Sequence, residues 1–151
     1  MVAPIERQTL TIRRVLKAPP ELVFDVWTQP EHMLRWFSPA ESYTNPFIEV
    51  DLRVGGAYRI AFLSPEGVQS IVGGRYLEIA RPDKLVFSWK WEDHDRFGDH
   101  ETTVSLEFNA CDEGTELVMN HEGLPVGPML EEHNWGWQGT LRRLEKALAA
   151  T

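Results

Sequence analysis

Residues 128–149, PMLEEHNWGWQGTLRRLEKALA, carry the feature that most restricts what this chain can fold into: one apolar stripe at helical spacing. At 100° per residue, Leu130, His133, Asn134, Trp137, Leu141, Leu144 and Leu148 fall within an arc of roughly 100°. Nothing on that arc is charged unless the histidine is protonated. Pro128 suits the first helical position, where no amide donor is needed, and Glu131 and Glu132 lie near the positive end of the helix dipole. Arg142, Arg143 and Lys146 lie toward the negative end. Trp135 falls on the far side of the stripe, and Gly136 and Gly139 each cost roughly 1 kcal/mol relative to alanine. A stripe of this length requires a large apolar partner.

The rest of the chain supplies one in the form of strands. Residues 8–17 (QTLTIRRVLK) alternate, with Leu10 and Ile12 on one face, and Pro19-Pro20 stops the run. Pro20 and Glu21 open a short helix, ELVFDVWT, which Pro30 ends and restarts as EHMLRWF. The apolar density of these two segments predicts burial on more than one side. Residues 38–46 read as a loop. Ile48, Val50, Leu52 and Val54 then alternate up to Gly55-Gly56, a hairpin signal, and Tyr58, Ile60 and Phe62 alternate after it. A turn at SPEG (64–67) leads into a long segment reaching Ala80, in which Gly73-Gly74 predicts a bulge or sharp bend. After ARPDK (80–84), Leu85, Phe87, Trp89 and Trp91 share one strand face, with Ser88 and Lys90 opposite. The tip EDHDRFGDHE (92–101) is polar and acidic, hence expected in solvent. His100, Thr102, Val104, Leu106 and Phe108 share a face of the next strand, and Leu117, Met119 and His121 share one of the last.

This order predicts an α+β fold: a curved antiparallel sheet wrapped around the C-terminal helix, with two short helices after the first strand. A strongly curved sheet does not close along the whole length of a helix, so a gap lined by aromatic side chains is expected between them. No repeat, low-complexity tract or linker interrupts residues 1–151, which read as a single domain.

With these words in this order, the chain resembles the START-like (SRPBCC) superfamily. It resembles more closely the family of the activator of the ninety-kilodalton heat-shock protein ATPase. The residues that carry the resemblance are APPELVFDVWTQPEHMLRWFSP (18–39), VGGAYRI (54–60), IARPDKLVFSW (79–89), TTVSLEF (102–108), GTELVMNHEGL (114–124) and HNWGWQGTLRRLEKAL (133–148). The resemblance implies a helix-grip fold with a cavity between sheet and long helix. Function follows less directly, because the superfamily hosts carriers, receptors, cyclases and co-chaperones on one fold. A chaperone ATPase is the partner that the family name implies. The eukaryotic activators bind their chaperone through an additional N-terminal domain, however, and these 151 residues read as one domain, which leaves that partner unsupported.

Composition narrows the alternatives. A net charge of −8 argues against a general nucleic-acid binder and against docking on anionic membranes. Cys111 is the sole cysteine, so no internal disulfide forms, and no apolar run has signal-peptide or membrane-spanning length. A cytoplasmic protein is the default expectation. No HExxH, CxxC, GxGxxG, P-loop or GxSxG pattern is present, so no metal, cofactor or catalytic residue is assigned. Asp93-His94-Asp95 has ligand-type side chains but sits in the charged tip.

What remains is an apolar cavity with sparse polar groups, the usual make-up of a small-molecule site. Trp27, Trp36, Phe87, Trp89, Trp91 and Trp137 each read singly as core aromatics. Together, in a chain with six tryptophans, they favour a cavity for a flat or lipidic ligand. Phe62, Val104 and Met119 extend the apolar faces. Tyr58, Thr102, His121 and His133 are the candidate polar groups, either satisfied within the core or orienting a ligand oxygen. The expected function is therefore a binding protein for a small hydrophobic or aromatic ligand. The alternative is a cyclase- or hydrolase-type enzyme using His121 or His133 as acid and base, with Tyr58 orienting the substrate. Trp135, off the stripe, marks a candidate protein contact, a homodimer interface among the options.

Overall fold

The computed structural model describes residues 6–149. Strand β1 (Arg7–Leu16) is followed by helices α1 (Pro20–Thr28) and α2 (Pro30–Met33). Strands β2 (Ile48–Val50), β3 (Ala57–Leu63), β4 (Gln69–Ala80) and β5 (Lys84–Trp91) come next. Then come a one-turn helix α3 (His94–Phe97), strands β6 (Thr102–Cys111) and β7 (Gly114–Pro125), and helix α4 (Pro128–Ala149).

The strands form one seven-stranded antiparallel sheet in the order β1-β7-β6-β5-β4-β3-β2. From β2 to β7 each strand pairs with the next in sequence, whereas β1 pairs with β7. Strands β1 and β2 therefore occupy opposite edges, and the segment holding α1 and α2 must cross from one to the other. It does so over the apolar face: α1 packs on β6 and β7, α2 reaches β2, and α4 lies against β1 and β7. This is the helix-grip arrangement, an α+β fold with the sheet wrapped around the C-terminal helix.

Proline sets the helix limits as the sequence predicts. The amides of Leu22 and Val23 donate to Pro19 O, and Gln29, preceding Pro30, is extended at φ −105° and ψ 121°. Helix α2 is shorter than the predicted EHMLRWF segment. From Leu34 the chain loosens into turns, which let Met33, Trp36 and Phe37 all turn inward while Leu34 stays exposed. The Asn45 side-chain amide donates to both Phe37 O and Ala61 O at 3.0 Å and ties this turn to β3.

Three other segments depart from their pattern. Strand β2 ends at Val50, leaving Leu52 and Val54 41% and 67% exposed. Residues 51–56 form a broad turn in which Asp51 N donates to Ala57 O and Gly56 N to Arg53 O. A side chain at Gly56 would place its Cβ 2.1 Å from Asp51 O, so the glycine pair serves this closure rather than a two-residue hairpin. Strand β4 passes straight through Gly73-Gly74, and its register shift falls between Tyr76 and Glu78. The glycines allow close approach instead: a Cβ at Gly74 would lie 2.1 Å from Ser88 O on β5. Finally, the 92–101 tip is not wholly in solvent, because Phe97 on α3 is buried and stacks on Trp91 with ring centroids 4.3 Å apart. The His94 side chain of the Asp93-His94-Asp95 stretch lies outside the described residues. Among the described residues no cluster of three or more metal-ligating side chains occurs, and no helix is long and apolar enough to cross a membrane.

On α4, His133, Trp137, Leu141, Leu144 and Leu148 are buried as predicted. Asn134 is exposed and Leu130 only partly covered, while Gly139 and Thr140 are buried. The helix is rotated toward residues 38–40 because Gly139 packs directly on Pro39, where a Cβ would meet the Pro39 carbonyl oxygen at 2.0 Å.

Candidate functional site

Where the sheet curves away from the first turns of α4, a cavity of about 630 Å³ opens to solvent. Its walls are rings: Phe37 after α2, Phe62 on β3, Trp89 and Trp91 on β5, Phe97 on α3 and Trp137 on α4. Strand alternation aims Phe62 inward from β3 and both tryptophans inward from β5, and helical spacing adds Trp137 one turn beyond His133. The mouth lies between the β3–β4 turn, with Ser64, Glu66 and Val68, and the start of α4, with Glu132, Trp135 and Gly136. Arg96 on α3 and Ser70 on β4 complete the wall.

Beneath the rings lies a closed set of hydrogen bonds. Both indole N–H groups of β5 converge on one ring nitrogen: Trp91 Nε1 and Trp89 Nε1 donate to His133 Nε2 at 3.0 and 3.3 Å. An indole only donates, so Nε2 is an acceptor and His133 carries its proton on Nδ1, which donates to Met129 O at 2.8 Å. Trp137 Nε1 donates to His121 Nδ1 at 3.0 Å, which places the His121 proton on Nε2, 2.7 Å from Thr102 Oγ1. The Thr102 hydroxyl in turn donates to Trp89 O at 3.0 Å. Every nitrogen of both imidazoles is therefore engaged with protein. The rings are 5.3 Å apart, edge to face. Burial, followed by the neighbouring His133, holds His121 well below the ordinary histidine range. Burial also lowers His133, against the opposing pull of the Met129 carbonyl and Glu132. Both are neutral at pH 7.

Of the residues singled out in the sequence, Phe62, Trp89, Trp91, His133 and Trp137 line the cavity. His121 and Thr102 stand one layer behind them, fully covered. The two histidines are thus neighbours on one side rather than groups facing each other across a space. Trp27 and Trp36 pack edge to face beneath α1, 4.8 Å apart, and Val104 and Met119 are closed into the sheet's core. Phe87 packs with Tyr58 and Tyr76 away from the cavity. The Tyr58 hydroxyl donates to Ser88 O at 2.5 Å, and burial, with Tyr76 beside it, pushes that phenol well above its ordinary range. It has no route to a substrate in the cavity. Trp135 is off the buried stripe, as the pattern predicts, and 56% exposed on the cavity rim.

Sequence reasoning did not assign Phe37, Tyr43, Val68, Ser70, Arg96 or Phe97 to the site. Phe97 left a local trace as the one apolar side chain inside an acidic hairpin tip, and Phe37 left one in the apolar density of residues 31–37.

Comparison with known proteins agrees with this architecture. Protein CV1439 from Chromobacterium violaceum superposes with a TM-score of 0.85 at 30% identity, covering 93% of this chain and 96% of that one. The AHSA1 protein from Silicibacter pomeroyi gives 0.83 at 26% identity, covering 95% and 99%. A protein from Rhizobium leguminosarum, at 23% identity, shares the fold over the full length of both chains with a TM-score of 0.82. No curated protein sequence matches the chain. Residues 17–149 match the family described as Activator of Hsp90 ATPase homolog 1-like protein, and the chain belongs to that family.

Proposed function

We propose that this protein is a binding protein that holds a small hydrophobic or aromatic molecule in the cavity between the sheet and α4. The observation that carries the proposal is the composition of the cavity: about 630 Å³ walled largely by aromatic rings, within the size range of small-molecule sites. The cyclase or hydrolase alternative needs an imidazole nitrogen free to move a proton. His121 and His133 have none free, and reaching His121 requires displacing Trp137 or Trp89.

The test uses N-phenyl-1-naphthylamine, whose emission rises in apolar surroundings, with native mass spectrometry of the freshly purified protein for any retained ligand. Gly136 faces the cavity, and a Cβ there meets nothing within 4 Å. Gly136→Leu should therefore obstruct the mouth of the cavity without disturbing the helix. Saturable dye binding by the native chain, lost in Gly136→Leu, is the expected result. Absence of binding, or equal binding by the obstructed variant, would remove the proposal.

A further inference from the structure

The indole wall of the cavity has no free N–H donor left for a guest. The indole N–H groups of Trp89, Trp91 and Trp137 are all committed to the two histidines. Thr140, which also lines the space, donates its hydroxyl to Gly136 O at 2.7 Å. A hydrogen-bond acceptor placed against these rings would lose its water and gain no indole partner, which costs about 1–3 kcal/mol by comparison with buried polar groups in proteins. The buried part of a ligand must then be apolar, and its polar part must lie at the mouth.

At the mouth, Arg96 differs from the other charged groups. Its Nη1 donates to Ser70 Oγ at 3.2 Å, on a residue that is itself buried, and its guanidinium lies 4.9 Å from the centre of the Phe97 ring. Phe97 is fixed in turn by its stack on Trp91, and the Arg96 backbone amide donates to Asp93 Oδ1 at 3.2 Å. The fork is thus held against the wall. Among the described residues no carboxylate comes within ion-pair distance of it. A positioned guanidinium with N–H donors to spare matches a planar oxyanion. Glu66 and Glu132 line the same mouth and oppose a second negative charge.

We propose that the ligand is an amphipathic monoanion: an apolar ring system or chain buried against Trp89, Trp91 and Trp137, with a carboxylate- or sulfonate-type head held at the mouth by Arg96. This rests on the cavity being a ligand site. Arg96 is then the residue that sets head-group specificity, and the head points outward.

Two dyes with the same ring system separate the two statements. 8-Anilinonaphthalene-1-sulfonate carries an anionic head, and N-phenyl-1-naphthylamine carries none. The expected result is tighter binding of the sulfonate. In Arg96→Gln the ratio of sulfonate to neutral affinity should fall about tenfold, the scale of one charged hydrogen bond. Arg96→Lys should recover part of the ratio, and added salt should lower the sulfonate's advantage in the native chain. Arg96 is solvent-exposed, so its replacement leaves the core intact. An unchanged ratio in Arg96→Gln, or displacement of the neutral dye by dodecylamine better than by dodecanoate, overturns the anionic head while leaving the cavity standing. Failure of both dyes to bind overturns both statements.

Discussion

The Trp137 indole nitrogen lies 3.0 Å from His121 Nδ1, so the long helix grips the last strand of the sheet through a directed bond as well as through apolar contact. Since His121 donates its single N–H, on Nε2, to Thr102 Oγ1, and Thr102 donates to Trp89 O, the bond belongs to a chain running from α4 through β7 and β6 to β5. Removing the donor should leave a buried acceptor unsatisfied. Trp137→Phe and Thr102→Val are each expected to lower unfolding free energy by about 1–3 kcal/mol. The double variant should lose less than the sum, because both act on one imidazole. Urea unfolding of the four proteins measures this, and strict additivity would show that the chain does not act as a unit.

The depressed affinity of His121 and His133 for protons makes a prediction with a definite sign. In the unfolded chain both bind protons below about pH 6.5, and in the folded chain burial prevents it. The unfolded state then binds more protons, so stability rises with pH through this window. The contribution is complete above the ordinary histidine value and is lost as pH falls from there toward the lowered folded values. His133→Gln, which keeps an oxygen acceptor for the two indoles but takes up no proton, should flatten the slope. Chemical denaturation at intervals between about pH 7 and pH 5 tests it. An unchanged slope in His133→Gln would count against His133 as a source.

Two glycines three positions apart on α4 should respond oppositely to alanine. At Gly136 a Cβ meets open space, and the gain in helix propensity should stabilise the fold by about 0.5–1 kcal/mol. At Gly139 the Cβ would meet Pro39 O at 2.0 Å, so helix and loop must separate, and a loss exceeding about 1 kcal/mol is expected despite the better propensity. Thermal melts of the two variants decide the matter. Stabilisation by Gly139→Ala would mean that the 38–40 loop does not bear on the helix.

Trp27 and Trp36 pack against each other, yet their indole nitrogens differ. Trp36 Nε1 donates to Val26 O at 3.1 Å, whereas Trp27 Nε1 is buried without a hydrogen-bond partner. Replacing each with phenylalanine removes similar ring volume. Trp36→Phe also orphans a buried carbonyl, and Trp27→Phe relieves an unpaired donor. The Trp36 variant should be the less stable of the two by about 1 kcal/mol or more, measured by equilibrium unfolding.

The architecture was readable from the chain because its signals are local. A period of two through Tyr58, Ile60 and Phe62, and again through Leu85, Phe87 and Trp89, is a statement about adjacent residues, as is the helical stripe from His133 to Leu148. Proline placement settled the limits of α1 in the same way. Alternation misled where backbone closure overrode it, as at Leu52 and Val54 beside the Gly55-Gly56 turn, and at His100, which precedes the start of β6 at Thr102. The site obeys no such local rule. Its cavity is the space left between elements, bounded by Phe37, Phe62, Trp91, Arg96 and His133 from five separate stretches of chain. Pattern identified Trp89, Trp91, His121, His133 and Trp137 as inward-facing, but could not say that the indoles and imidazoles would satisfy one another, since that depends on distances across the fold. The sequence alone determined, through periodicity and backbone restriction, an antiparallel sheet around a C-terminal helix and the aromatic character of its interior, and its resemblance to a family implied the helix-grip fold. Only the tertiary structure decided which polar groups are closed off and which, like Arg96, line the cavity without an ion-pair partner among the described residues, because hydrogen-bond partners are chosen in space and not along the chain.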